Sequence, residues 1–207
     1  NSSLGYTTFD NPIYNHTYAD MDGKTAPISI GAGIACDKGI ILVNSAGNSG
    51  NSNWHYIGAP ADHPAVLSVG AVDENEEYAS FSSYGPNAEG FIKPNVVAQG
   101  KNTVVATSSN EVMTGNGTSF SSPVTAGMVA CLWGANPDKS PDAIKLAIYE
   151  SADRYLSPDA QFGYGIPNYY DAHQSLYYNF TIPIEISIMG DIKYSVYTID
   201  GKIIDDG

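Results

Sequence analysis

Two short stretches carry residue types that together could break an acyl bond. The first is GNGTSFSSP, residues 115–123, in which Ser119 follows two glycines and opens an apolar run. A serine hydroxyl becomes a nucleophile only if one group takes its proton and another stabilises the oxyanion that forms. A helix N-terminus meets the second need, because its unpaired N–H groups and partial positive charge face the developing anion. Gly115 and Gly117 permit an abrupt entry and close approach of a substrate, and Pro123 is read into the first helical turn, where its missing N–H costs little. The same residues also suit an ordinary helix start capped by Thr118 or Ser119. They do not suit a phosphate loop, since no lysine follows the glycines. The second stretch is NSAGNSG, residues 44–50, where an apolar run closes in a turn. An Asn48 side chain there can aim an amide donor at a helix N-terminus. With the Ser119 backbone N–H it would make a two-donor oxyanion hole.

A base for Ser119 is harder to find. The four histidines are His16, His55, His63 and His173. His55 and His63 lie in loops flanking the expected pocket and read as rim or surface residues. His16 falls in an Asn- and Tyr-rich loop and His173 in a late helix.

The elements that would position these residues follow from periodicity. Continuous apolar runs over 40–48, 65–73 and 93–100 predict buried parallel strands. Apolar spacing over 25–40, with Gly39 as the stop, predicts a helix. Residues 102–117 read as a hairpin turning at Ser108-Ser109-Asn110. A helix follows from about 119 to 133, and its stripe of Val124, Met128, Cys131 and Leu132 is expected to face the sheet. Another helix is expected from 141, with Ser140 as N-cap and Pro141 at the first position. Strands alternating with helices predict an α/β fold, three layers α/β/α around a mostly parallel sheet. The strand ends at Asn48 and Asp73 are where function is expected to gather. From residue 177 the pattern changes to alternating apolar and polar residues with Gly-Asp and Asp-Gly turns. We therefore divide the chain into 1–176 and a β-rich extension, 177–207, read as the start of a further domain.

Composition narrows the function. Nine basic against 22 acidic residues give a formal charge of −13, which opposes binding to nucleic acid. No apolar run reaches the roughly 18 residues of a membrane span. Cys36 and Cys131 lie far apart in apolar segments and read as buried free thiols, without metal-site spacing.

Taken together, the motifs resemble those of the subtilisin-like serine proteases. GNGTSFSSP resembles the family's Gly-Thr-Ser nucleophile motif, and SAGN its oxyanion turn. HPAVLSVGAVDENEEYASFSSYGP (63–86) is similar to the connecting strand and loop, and KPNVVAQG to a later strand, with Gln99 where proline is usual. SLGY resembles the edge segment that pairs with substrate, and FGYGIPN the segment that closes the domain. The likeness runs over residues 1–175 in the family's own order.

The resemblance implies a serine endopeptidase that forms an acyl-enzyme on Ser119, with Asn48 as the oxyanion side-chain donor. It implies a polypeptide substrate held by Ser3, Leu4 and Gly5 on one side and Ser45, Ala46 and Gly47 on the other. It requires no cofactor but leaves room for calcium near Asp73. It implies a secreted or cell-surface enzyme, bacterial by the family's wide use there. The family's Asp and His precede its Ser and match nothing in this chain, so this is expected to be the C-terminal part of a catalytic domain. The missing part would be supplied in cis by the parent protein or by a second chain. The alternative is a non-catalytic relic or peptide-binding module. The elbow pattern Gly-x-Ser-x-Gly of other acyl hydrolases is absent around Ser119.

The purified chain is thus expected to leave a chromogenic peptide uncut, because a serine without a base lacks the ~10²–10⁴-fold gift of general-base catalysis. Rapid stoichiometric labelling of Ser119 by a fluorophosphonate would contradict this.

Overall fold

The computed structural model describes residues 1–177 and strand residues 184–186, 192–197 and 203–206. Three parallel strands form the central sheet in the order β1 (Val43–Ser45), β2 (Leu67–Val72), β3 (Val96–Gln99). Val43 lies opposite Leu67, and Val69 opposite Val96. These are the three expected strands, each shorter than its apolar run. β1 stops early because the chain turns away at Ala46, whose N–H still donates to the Val69 carbonyl. The first residues add to the outer edge of β1: Ser2 pairs in parallel with Asn44 and exchanges backbone bonds with Val43 and Ser45.

Every residue of β2 is buried, as befits a strand covered on both faces. On one face Leu67 and Val69 pack with Val43 and Val96 against helices α2 (Thr118–Ala135), α3 (Pro141–Glu150) and α4 (Tyr169–Tyr177). Ile144 and Ile148 complete this core and are wholly buried. α3 begins as expected, with the Ser140 hydroxyl accepting from the Ala143 N–H and Pro141 at the first position. On the other face Gly70 lies against Ser82, Pro94 and Val97, so that a Cβ there would come within 3.0–3.1 Å of all three. Helix α1 (Pro27–Asp37) packs on the turn that precedes β2, its Gly33 against the His63 ring. It ends at Gly39 (φ +86°), where the Gly39 N–H reaches the Cys36 carbonyl and the Ile40 N–H the Ala35 carbonyl. That is the left-handed glycine stop read from the sequence.

The hairpin pairs β4 (Thr103–Ala106) with β5 (Val112–Gly115). In the extension, β6 (Ile184–Ile186), β7 (Ile192–Tyr197) and β8 (Ile203–Asp206) form an antiparallel sheet in that order. The other residues of the expected extension, 178–183, 187–191, 198–202 and 207, lie outside the described set.

Three expectations need correction. The face of α2 turned to the sheet is Ser121, Ser122, Thr125, Val129 and Leu132, while Val124 and Met128 are about half exposed and Cys131 is exposed. Small polar side chains face the strands in the first half of the helix, where the approach is close: a Cβ on Gly100 would come within 3.3 Å of the Ser121 Cβ. The hydroxyls of Ser121 and Ser122 are satisfied, by the Thr118 carbonyl and by the Asn1 side chain. Pro123 is the sixth residue of α2 rather than part of its first turn. Its missing N–H frees the carbonyl four residues back, and that carbonyl, of Ser119, accepts from the Ser3 hydroxyl at 3.5 Å. Both thiols are free, but Cys36 is only partly buried.

Leu132→Ala is expected to cost about 2–4 kcal/mol in urea unfolding, the range for a buried leucine. Val124→Ala, on the exposed face, should stay within about 0.5 kcal/mol. Equal costs would contradict the assigned face.

Candidate active site

Ser119 is the second residue of α2, half-buried, inside the helix rather than at its cap. Gly117 holds the cap position and offers no side chain to the helix N–H groups. The first of those donors, the Thr118 N–H, is taken by the Asn48 side-chain oxygen at 2.8 Å. The Thr118 hydroxyl donates to the same oxygen at 2.9 Å and accepts from the Gly47 N–H at 3.2 Å. Two donors on one atom fix which end of the amide is oxygen. The Asn48 nitrogen, Nδ2, is left as the outward donor. The next N–H, that of Ser119, has no side-chain acceptor among the described residues. The capping role considered for the Ser119 hydroxyl is not realised.

Gly47 makes this turn possible. It sits at φ +113°, and a Cβ there would come within 2.8 Å of the Ser83 hydroxyl. That hydroxyl accepts from the Ser49 N–H, which holds the turn from behind.

Asn48 and Ser119 line one cavity of about 180 Å³. All six residues expected to bind substrate line it too: Ser3, Leu4 and Gly5 on one wall, Ser45, Ala46 and Gly47 on the other. The walls are joined through Asn44, whose amide donates to the Ser45 carbonyl at 2.8 Å and the Leu4 carbonyl at 3.4 Å. Gly58 and Ala59 also line it, and Ala59 bridges to Tyr6 across the gap. Tyr6, Trp54 and Tyr56 supply its aromatic surface. Tyr56 is stacked on Tyr18 at 3.9 Å and lies 4.0 Å from the His55 ring, which stacks in turn on Tyr84. No lining residue carries a formal charge.

None of the four histidines lines this cavity. His63 accepts from the Ala65 N–H through Nδ1, and burial holds its pKa below the usual value. His173 contacts Asn136, and His16 meets Phe9 edge-on. Asp73 is committed elsewhere. One oxygen takes Lys101 at 3.0 Å and the other the N–H groups of Asn75 and Glu77. The Lys101 bond holds its carboxyl below the usual range. Among the described residues no group of three or more His, Cys, Asp or Glu side chains is placed to hold a metal, so the calcium read for Asp73 gains no ligand set here.

The profile of the Subtilase family matches residues 1–165. The chain belongs to the subtilase family. It is 32% identical over 159 residues to serine protease AprX of Bacillus subtilis (strain 168), covering 67% of this chain and 34% of that protein. It is 34% identical over 157 residues to subtilisin DY of Bacillus licheniformis, covering 75% of this chain and 54% of that protein. The halolysin-like extracellular serine protease Nep of Natrialba magadii is 36% identical over 61% of this chain and 22% of its own length. The chain thus spans from about a fifth to about half of these relatives. Among solved structures, the prenylagaramide maturation protease PagA shares the fold, with a TM-score of 0.63 and 24% identity over 84% of this chain and 60% of that one. The self-cleaved protease domain of PatA gives 0.58 and 25% identity over 70% of this chain and 53% of that one.

Sequence reading offered Thr118 only as a helix cap, a role it does not take, and missed that its side chain orients Asn48. Its signal was the pairing of a threonine beside the serine with a Gly-Asn turn. In a catalytically complete subtilase carrying this chain, Thr118→Val should lower kcat several-fold with KM nearly unchanged, because it frees the amide to rotate. An unchanged kcat would show that the backbone bond alone orients Asn48.

Proposed function

We propose that this chain contributes the nucleophile, oxyanion hole and substrate walls of a subtilisin-type serine endopeptidase. The observation that carries the reading is the orientation of Asn48: its oxygen is bonded to Thr118, so Nδ2 is the donor left for the cavity that Ser119 shares.

A polypeptide lies along the edge formed by Ser3 to Gly5 and places a side chain in the cavity. The Ser119 hydroxyl oxygen attacks the carbonyl carbon, and its proton passes to a base. Asn48 Nδ2 and the Ser119 N–H stabilise the oxyanion. The C–N bond then breaks, and the amine leaves with the proton from the base. Water attacks the resulting ester, gives its proton to the same base, and releases the acid with Ser119 restored. The base and its orienting carboxylate come from sequence outside this chain, within the parent protein or on a second chain, so the chain alone is inactive. No step calls on a cofactor. The extracellular relative supports a secreted or cell-surface site of action. No helix among the described residues is long and apolar enough to cross a membrane.

A second reading is a peptide-binding module without chemistry. It is favoured by one observation, that no histidine of this chain lines the cavity.

In the complete protease, Asn48→Ala should lower kcat by ~10²–10³-fold, with KM little changed, since the oxyanion exists only in the transition state. An unchanged kcat, or peptide binding without hydrolysis in the complete protein, would favour the binding module. In a panel of peptides differing only at the residue before the cut, neutral side chains should be preferred, because the cavity offers no counter-charge. Equal cleavage after Lys or Asp would refute that preference.

A further inference from the structure

The turn before β2 presents a row of backbone oxygens to two lysines, Lys93, which is buried, and Lys145, which is partly exposed and paired with Asp142 at 3.0 Å. Lys93 is 1% exposed. Its ammonium donates to the His63 carbonyl at 2.8 Å, the Val66 carbonyl at 2.6 Å and the Asn95 side-chain oxygen at 3.1 Å. Lys145 donates to the carbonyl between the first two, that of Ala65, at 3.2 Å. None of the Lys93 acceptors is a carboxylate. An ammonium has three donors and no acceptor, so three oxygens match it, whereas the neutral amine serves only two.

Burying a cation is costly, and an apolar side chain would fill the same space without that cost. Burial pushes the ammonium down to about 7, while the three oxygens act the other way by accepting from its charged form. Asp62 and His63 on the turn, Cys36 in α1 and Lys145 in α3 interact with it electrostatically, and Tyr149 of α3 and Tyr164 line the same pocket. Asp62 fastens the same turn to a different place, accepting from the Gly23 N–H at 2.8 Å and the Ser29 hydroxyl at 2.5 Å.

The tether points connect to the cavity through consecutive turns. The Val66 N–H donates to the His63 carbonyl, the His63 N–H to Pro60, and the Asp62 N–H to Gly58. Gly58 and Ala59 form part of the cavity lining, and a Cβ on Gly58 would meet open space. Asn95, at the other end, is locked to β2 by the Ser68 N–H at 2.9 Å.

We propose that Lys93 is a positioning residue that tethers segment 57–66 to the chain entering β3, and so fixes the cavity floor that a substrate side chain meets. The link to substrate choice rests on the peptidase reading; the tether itself does not.

Two measurements on Lys93→Met test it. In the 207-residue chain, hydrogen exchange should speed up at least tenfold in 57–66 and stay unchanged in β2 and α2. In the complete protease, discrimination among side chains before the cut should flatten several-fold, with KM rising more than kcat falls. Unchanged exchange in 57–66 overturns the tether, whatever the enzyme does. Faster exchange with unchanged discrimination overturns the link to substrate. If Lys93→Met does not fold, the unsubstituted chain decides. Corrected for intrinsic rates, exchange in 57–66 should rise relative to β2 as pH climbs from 6 to 10 and the amine loses its third donor. A constant ratio overturns the proposal. Absence of peptide hydrolysis by the unsubstituted complete protein would count against the peptidase reading and leave the exchange result standing.

Discussion

The site depends on one oxygen atom. Asn48 Oδ1 accepts from both the backbone and the hydroxyl of Thr118, and so ties the turn after β1 to the first residue of α2. A short helix start and a strand end are each weak structures alone. Joined there, they fix the Ser119 hydroxyl, the Ser119 N–H and the Asn48 amide in one frame. The core beneath supports the joint: Leu67, Val69 and Val96 hold the sheet to α2 through Val129 and Leu132. The packing sets the distance between sheet and helix, and the amide sets their rotation at the cavity.

Much of this was legible in the sequence for physical reasons. The runs over 40–48, 65–73 and 93–100 announce strands covered on both faces, and all three are adjacent and parallel. Gly39 and Ser140 are chemical stops and starts whose signal is local. The face of α2 was misread because apolar periodicity assumes that burial selects large side chains. Here it selects Ser121, Ser122 and Thr125. Pro123 was misplaced because a helix boundary in sequence is loose by a turn. Thr118 and Lys93 act through partners 70 and about 30 positions away, which no local pattern encodes. A lysine between Ile92 and Pro94 at the entrance of a buried strand was the available clue.

The polar interior has a common logic. Asn44, Ser68, Asn95 and Lys93 are buried and bonded to backbone groups of neighbouring strands and turns. Asn95 and Lys93 supply partners to backbone groups where the chain enters β3, and Asn44 links β1 to the segment at Leu4. The strands are short, so the loops carry the cavity, and side chains do for those loops what ladders do for sheets. The cavity inherits their precision.

The two tryptophans of the sequence divide between the cavity and the helical layer. Trp54 stands in the cavity wall, edge-on to Tyr56 at 6.3 Å. Trp133 lies in α2, its indole nitrogen bonded to the Lys139 carbonyl. The molecule therefore carries two indole fluorophores in separate settings, which can be excited apart from its 15 tyrosines at the red edge of the absorption band. Emission from Trp54 will respond when a peptide fills the cavity or a quencher enters it, while Trp133 reports on the helices. Replacing Trp133 with Phe would leave a single indole probe, at the place where peptides are expected to bind.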